Sequence, residues 1–515
     1  MSYYLGVDFG TEGVRAALFD IEGRLFAMES EGYPTSYPKA GWVEQDPADW
    51  WKSFIAVIRK LIDRSGVRGE EIAGMACDTT SCTVLVLNNA FSPLRNALVW
   101  MDVRSSSQAE RIAGSCANAL KYNGYGNVSA EWMPSKLLWI KENEPEIYRE
   151  AVYACEFQDW INYRLTGQWT GSINNVTIRW YYDLPNGGWP ADFYEEIGLG
   201  DALKKFPRRI LRLGEMVGAV SSAVARETGL PDKLPVVQGG VDAYMGMLGL
   251  GAVRPGRVAF ITGSSHLLLG HTAEEFHKRG VFGAFPDAVI PGMWVVEAGQ
   301  ISTGSILKWF KEQFTGCGIV READRRGLSI YDYINQCAEC IRPGSEGLVV
   351  LDYWQGNRNP LTDSRARGAI WGLSLRHTPA HVYRAIMEGV AYGTEHIMRV
   401  FKEAGYSPQE LVACGGATKS PLWMQIHSDV LGMPIRLTEE QNAPLLGDAI
   451  LAAYGTGMYK SIEEGADSMV RIKKHIQPDL SNHERYRYYV GCYIDTYPQM
   501  RDLMWDLVEH EKSWL

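Results

Sequence analysis

Apolar and polar positions change period several times along the chain, and each change marks an element. Residues 3–8, 14–20 and 24–30 are short apolar runs parted by Gly10-Thr11-Glu12-Gly13 and Glu22-Gly23. They predict three strands joined by tight turns. From Trp50 the period lengthens: Trp50, Phe54, Val57, Ile58 and Leu61 recur at helical spacing. Asp46 stands as N-cap, Pro47 as first helical residue and Gly66 as stop. Residues 72–78 and 83–88 return to strand-like runs, so the order is βββαβ, an α/β pattern with a mixed sheet.

Residues 90–235 are less regular. They hold Trp100-Met101-Asp102-Val103-Arg104, a predicted helix from Ser135 carrying Leu137, Leu138 and Ile140, and a Trp/Tyr/Asn-rich stretch over 169–189. The segment reads as an insertion on the first sheet. Residues 235–242 then read as a strand running into Gly239, Gly240 and Asp242, and residues 251–256 predict a linker.

After that linker the opening pattern returns. Strands are predicted over 258–262, 266–270 and 294–299, with a polar turn at Gly263-Ser264-Ser265 and a helix over 303–314. The βββα order thus occurs twice, each copy opening on a Gly/Ser/Thr turn. A long helix over 379–404 and a strand over 410–414 lead to Gly415-Gly416-Ala417-Thr418 and a helix from Pro421. Residues 444–454 are small and apolar, as for a helix packed closely on something, and the tail is helical by pattern. The expected divisions are 1–253, 254–485 and a tail over 486–515.

Composition narrows the function. A chain of 515 residues exceeds one core. With 51 Lys+Arg against 61 Asp+Glu and no basic run, nucleic acid is not an expected partner. The nine cysteines are scattered; Cys337 and Cys340 form a close pair with no second pair to complete a zinc site, which predicts reduced thiols. No apolar run approaches the ~20 residues of a membrane span. The sequence opens directly on a strand, with no leader pattern, so a cytoplasmic protein is expected.

The candidate chemistry begins at Asp8. It flanks a turn whose Gly10 and Gly13 allow an amide nest, while Thr11 adds a hydroxyl and Arg15 a fixed positive charge. A metal–polyphosphate ligand needs that set; a plain hairpin with a polar turn uses the same residues. A second nest at residues 263–265 would let two turns grip a triphosphate across a cleft, whose closure would exclude water as a kinase requires. Asp242, at the end of an apolar strand, is the candidate base for a sugar hydroxyl, and also a cap for the helix from Ala243.

At this point the chain resembles the FGGY carbohydrate kinases. Gly368-Ala-Ile-Trp-Gly372-Leu373, followed after seven residues by His381-Val-Tyr-Arg-Ala-Ile-Met-Glu388, follows that family's C-terminal signature. Asp8-Phe-Gly10-Thr11-Glu-Gly-Val-Arg15 looks like its first phosphate motif, Thr262-Gly263-Ser264-Ser265 like the second, and Gly415-Gly416-Ala417-Thr418 like its adenosine motif. The resemblance spans residues 1–480. It implies two actin/hexokinase-like (ribonuclease H-like) α/β domains with ATP in the cleft between them. Phosphates would lie on Gly10, Thr11, Arg15, Thr262, Gly263, Ser264, Ser265 and Gly304, and adenosine on Gly415, Gly416, Ala417 and Thr418. Asp8 would hold Mg2+ through water, and Asp242 would be the base. The expected partners are a small sugar or polyol and, in a homodimer, a second copy; no membrane is expected.

Within the family, Ser129-Ala-Glu131-Trp132-Met133-Pro-Ser-Lys136, Phe157-Gln-Asp159-Trp160, Leu165-Thr-Gly167, Glu297-Ala-Gly-Gln300 and Gly356-Asn357-Arg358-Asn359-Pro360-Leu361 are similar to ribulokinases and ribulokinase-like pentulose kinases. This implies sugar contacts at Thr80, Ser81, Asp102, Arg179, Asp242 and Glu297. Arg179 departs from the Lys that ribulokinases often carry there, and residues 77–82 also depart from the L-ribulokinases. Xylulose, erythritol, glycerol or another small polyol are therefore alternatives to ribulose. Asp102 could instead pair with Arg104, Arg15 could be an ion-pair partner, and Lys136 reads as structural. A catalytically silent sugar sensor of the same fold is the alternative from another class. A nucleotide-driven chaperone would need a C-terminal peptide-binding domain, for which no sequence is present.

Overall fold

The computed structural model describes residues 2–115, 117–125, 128–512 and 514. The first sheet comprises β1 (Tyr3–Phe9), β2 (Gly13–Phe19), β3 (Leu25–Gly32), β4 (Ile72–Thr79), β5 (Met216–Ala219) and β6 (Pro235–Val237), in the order β5-β6-β4-β1-β2-β3. β1 is central and every one of its residues is buried, which is why its apolar run shows no alternation. It runs antiparallel to β2 and parallel to β4.

The second sheet comprises β7 (Arg257–Thr262), β8 (His266–Thr272), β9 (Phe282–Pro286), β10 (Trp294–Gln300), β11 (Glu410–Gly415), β12 (Ile435–Thr438) and β13 (Ile472–Ile476), in the order β9-β10-β8-β7-β11-β12-β13. Without β9, its strands repeat the first sheet position for position and in polarity: β7 is antiparallel to β8 and parallel to β11, as β1 is to β2 and β4. The repeat legible in the turns therefore extends over six strands. β9 is an addition at the edge.

One predicted strand is shorter than expected. The run from Pro235 ends at Val237, and Val241 keeps only an isolated bridge to Thr79. The cause is close approach: a Cβ on Gly239 would stand 1.9 Å from the Cys77 carbonyl oxygen.

The helices that place the site are α1 (Pro47–Ser65), α2 (Met133–Asn143), α3 (Ile173–Arg179), α4 (Asp242–Gly249), α5 (Gly304–Phe314), α6 (Pro379–Glu403), α7 (Pro421–Leu431), α8 (Ala443–Gly455) and α9 (Leu480–Lys512). α1 begins and ends as read: the Asp46 side chain accepts from the Ala48 N–H, and Gly66 takes the left-handed conformation at φ 66°. Its apolar stripe packs on β2 and β3. α2 starts two residues before Ser135 because Pro134 fits the first turn of a helix.

α8 follows the second sheet's β12 in sequence, yet it packs on β1 and β4 of the first sheet and crosses α4. The packing is backbone to backbone. A Cβ would stand 1.9 Å from Ala443 O at Gly249, 2.0 Å from Met245 O at Gly447, and 2.2 Å from Leu445 O at Gly6. α9 starts earlier than expected, and its Tyr486, Val490 and Tyr493 are buried in the second core beside α6 and α7. Residues 513 and 515 of the predicted tail lie outside the described residues. Among the described residues no helix is long and apolar enough to cross a membrane.

Candidate active site

Two cavities meet at one turn. The first, of about 510 Å³, is walled by Thr11, Thr80, Ser81, Arg179, Asp242 and Glu297 among others, with Ser265 at its margin. The second, of about 770 Å³, is walled by Gly263, Ser264, Gly304, Gly416 and Ala417. Residues 263–265 therefore face both: Ser265 one chamber, Gly263 and Ser264 the other.

Each turn is held by its neighbours. In the first, Gly10 N–H donates to Gly13 O at 3.0 Å and Tyr33 Oη donates to Gly10 O. Gln45 Nε2 donates to Thr11 O at 2.8 Å, and Trp100 Nε1 donates to Thr11 Oγ1 at 2.9 Å. In the second, Gly263 N–H donates to Ser265 O at 2.9 Å. The first amides of α5 brace it, Thr303 N–H donating to Ser264 O at 2.9 Å and Gly304 N–H to Gly263 O at 3.2 Å. Thr262 ties this turn to the next motif: its Oγ1 donates to Cys414 O at 2.6 Å and accepts from Ala417 N–H at 3.2 Å. Gly415 has φ 95°, and a Cβ there would stand 1.8 Å from Thr262 O, so only glycine fits. Thr418 closes its own turn by donating to Gly415 O at 2.7 Å. Thr262, Gly415 and Thr418 shape the second chamber without walling it.

Carboxylates concentrate beside the first turn. Asp8 is buried, forms an ion pair with Arg15, and is the register partner of Asp78 on β4. Both carboxyl oxygens of Asp78 are buried, against the Asp448 and Asp8 carboxyls. Burial, with Asp448, Asp8 and Asp242 nearby, pushes its pKa well up. Asp448 reaches in from α8, accepting from Val7 N–H at 3.2 Å. Asp242 is the first residue of α4, whose N-cap is Val241 and not Asp242 as expected; it accepts from Ala243 N–H at 2.7 Å while its carboxyl walls the first cavity. Burial and the Asp8 carboxylate push its pKa up to about 7.

At the far side of the same cavity, Arg179 Nη2 donates to both oxygens of Glu297, each at 2.8 Å, and Tyr244 Oη donates to Glu297 Oε2 at 2.7 Å. Burial opposes ionisation of Glu297, but Arg179 and Tyr244 outweigh it and hold its pKa below the usual carboxylate range. The Arg179 guanidinium also lies over the Trp132 ring.

Two of the expected contact residues stand outside both cavity walls. Asp102 is fully buried behind the wall; Arg104 takes both its oxygens at 2.8–3.0 Å, and Val43 N–H donates to Oδ2 at 2.6 Å. It is a structural ion-pair partner and does not wall the cavity. Arg15 is likewise committed, to Asp8 and, at 3.3 Å, to Asn442 Oδ1, and walls neither chamber. Sequence reasoning missed Tyr244, Phe282 and Thr362 in the first cavity, and Tyr331, Asn335 and Trp423 in the second. Tyr244 had a signal, two residues beyond Asp242 on the same helix; the others are brought in by chain folding.

Residues 3–249 match the N-terminal domain, and residues 258–456 the C-terminal domain, of the FGGY family of carbohydrate kinases. An FGGY carbohydrate kinase domain-containing protein of Xenopus laevis is 32% identical over 525 residues, covering 95% of this chain and 94% of that one. A ribulokinase of Geobacillus thermodenitrificans is 31% identical over 512 residues, covering 92% and 90%. The crystal structure of a xylulose kinase from Rhodospirillum rubrum superposes with a TM-score of 0.87 at 28% identity, covering 97% of this chain and 99% of that one. With both halves matched and two chambers meeting at a single turn, the chain belongs to the FGGY family of carbohydrate kinases, phosphotransferases whose acceptor is a sugar hydroxyl.

Proposed function

We propose that this kinase transfers the γ-phosphate of ATP to a terminal hydroxyl of an open-chain pentulose, with ribulose the first candidate. The supporting observation is the shared turn at residues 263–265: a nucleotide seated in the 770 Å³ chamber would send its phosphates past Gly263 and Ser264 to Ser265, where the 510 Å³ chamber begins. Asp242 lies in that second space with Thr11. As the hydroxyl oxygen attacks the γ-phosphorus, its proton passes to the Asp242 carboxylate and ADP leaves. Thr11 and the amides of the two turns steady the transferring group. Arg179, Glu297, Thr80 and Ser81 orient the sugar.

The carboxylates fit a cation at Asp8. Asp8, Asp78 and Asp242 gather near one guanidinium, Arg15, with Asp448 alongside; burial among neighbouring carboxyls pushes the pKa of Asp78, Asp242 and Asp448 up, so the cluster holds protons that a cation would displace. Among the described residues no three side chains form a metal cage; Mg2+ keeps several waters and leans on phosphate oxygens, so a single buried carboxylate suits it. Mg2+ held there with the phosphates would offset charge on the leaving ADP.

Release of ADP, followed in a coupled assay over ribulose, xylulose, erythritol and glycerol, tests the reading. Turnover highest on a pentulose supports it. Turnover on another polyol alone removes the pentulose assignment, and none on any sugar favours the silent sensor.

A further inference from the structure

We propose that Lys136 and Glu156 are positioning residues that hold the sugar-facing turn Thr80-Ser81-Cys82 in its working shape by gripping Cys82 from both sides of its backbone. Lys136 Nζ donates to Cys82 O at 2.8 Å, and Glu156 Oε2 accepts from Cys82 N–H at 3.0 Å. Cys82 sits at φ 59°, a left-handed conformation that a side chain takes only when its surroundings impose it. Ser81 and Cys82 both wall the 510 Å³ cavity.

The remaining bonds of the pair extend the grip. Lys136 Nζ also donates to Val99 O at 2.6 Å and Trp100 O at 3.3 Å, so its three protons join the turn to the adjoining wall. The Trp100 indole in turn reaches Thr11 Oγ1 in the phosphate turn. Glu156 is fixed by Trp180 Nε1 at 2.6 Å and Asn175 Nδ2 at 2.9 Å.

Both residues are fully buried, and neither forms an ion pair among the described residues. A buried charge without a counter-ion is costly, and packing alone would be served better by an apolar side chain. What the charges accomplish is local. An ammonium on the carbonyl and a carboxylate on the N–H act on one residue, each through a charge-assisted hydrogen bond. These are the bonds that offset the strain at residue 82.

The role given to the turn rests on the kinase reading; how the turn is held does not. Crystal structures and sugar kinetics of K136M, C82G and K136M/C82G test both. Residue 82 is expected to leave positive φ in K136M, and KM for the sugar to rise about tenfold while KM for ATP stays within about twofold. Glycine adopts positive φ unaided, so adding K136M to C82G is expected to raise the sugar KM no more than about twofold. Residue 82 still left-handed in K136M, or an equal rise in both backgrounds, overturns the proposal. Should K136M fail to fold, E156Q, which keeps the size and weakens the N–H bond, is judged by the same two criteria. If the unmodified enzyme turns over no sugar, the conformation of residue 82 in K136M decides alone.

Discussion

Arg179 and Glu297 meet in the wall of the 510 Å³ cavity, one from the last residue of α3 and the other from the middle of β10, with Arg179 Nη2 2.8 Å from each carboxylate oxygen. The same guanidinium donates through Nη1 to Ile178 O at 3.0 Å and lies over the Trp132 ring, contacts that a single ammonium cannot make together with the Glu297 pair. R179K is therefore expected to raise KM for the sugar about ten- to a hundredfold, the scale of a disrupted buried charge pair. KM for ATP should stay unchanged. Steady-state kinetics with each substrate varied in turn will show it; parallel rises in both KM values would remove the assignment.

D242N keeps the hydrogen bond from Ala243 N–H within reach but cannot accept a proton. Turnover should fall by about 10² or more with nucleotide binding retained, measured by calorimetry beside the rate.

The pKa of Asp242 also gives a pH profile. The base must be ionised, so kcat/KM for the sugar should rise with pH through about 7. Stability runs the other way. A carboxyl whose folded pKa is raised contributes stability that is complete below its unfolded value, near 3.9, and is lost as pH climbs through about 7. Denaturation of D242N should show a smaller loss of stability between about pH 4 and 7 than the unmodified chain.

Gly304 leaves no room for a side chain, since a Cβ would stand 2.4 Å from Gly263 O. G304A must push the phosphate turn aside. KM for ATP is expected to rise about tenfold or more, a cost of about 1.4 kcal/mol. Sugar binding without nucleotide, followed by calorimetry, should weaken as well, since Ser265 of the same turn walls the other cavity.

At the crossing of α4 and α8, a Cβ on Gly447 would stand 2.0 Å from Met245 O. Helices in such contact cannot separate to admit a methyl without disturbing both sheets. G447A is expected to cost about 1–3 kcal/mol, lowering Tm by several degrees in a thermal scan.

Local signals carried much of the fold. The cap at Asp46, the stop at Gly66, the turn glycines and the apolar runs of β1, β2, β7 and β8 act within a few residues, so they are readable without a partner. The strand from Pro235 was read too long because nothing local reveals that Gly239 must pass against Cys77 O. β9 was unread for a similar reason, its Phe282-Gly-Ala-Phe285-Pro286 being a strand only through its pairing with β10. The site divides likewise. Asp8, Asp242 and the Gly/Ser/Thr turns are clustered in sequence and visible as motifs. The Asp102–Arg104 pair was one of two readings the sequence allowed, and burial is not legible locally; Asn335 and Trp423 enter the second chamber only through tertiary packing.

The turn at residues 263–265 is a wall common to two rooms, and that makes the two ends of the reaction unequally open to change. On the proposed reading a substitution in it would alter both substrates at once, whereas Ser81, Cys82, Phe282 and Thr362 border the first room alone. New acceptors can therefore arise by redecorating one room's far side with the phosphate donor left untouched. Divergence among enzymes built this way should gather at those distant positions, while the shared partition stays constant.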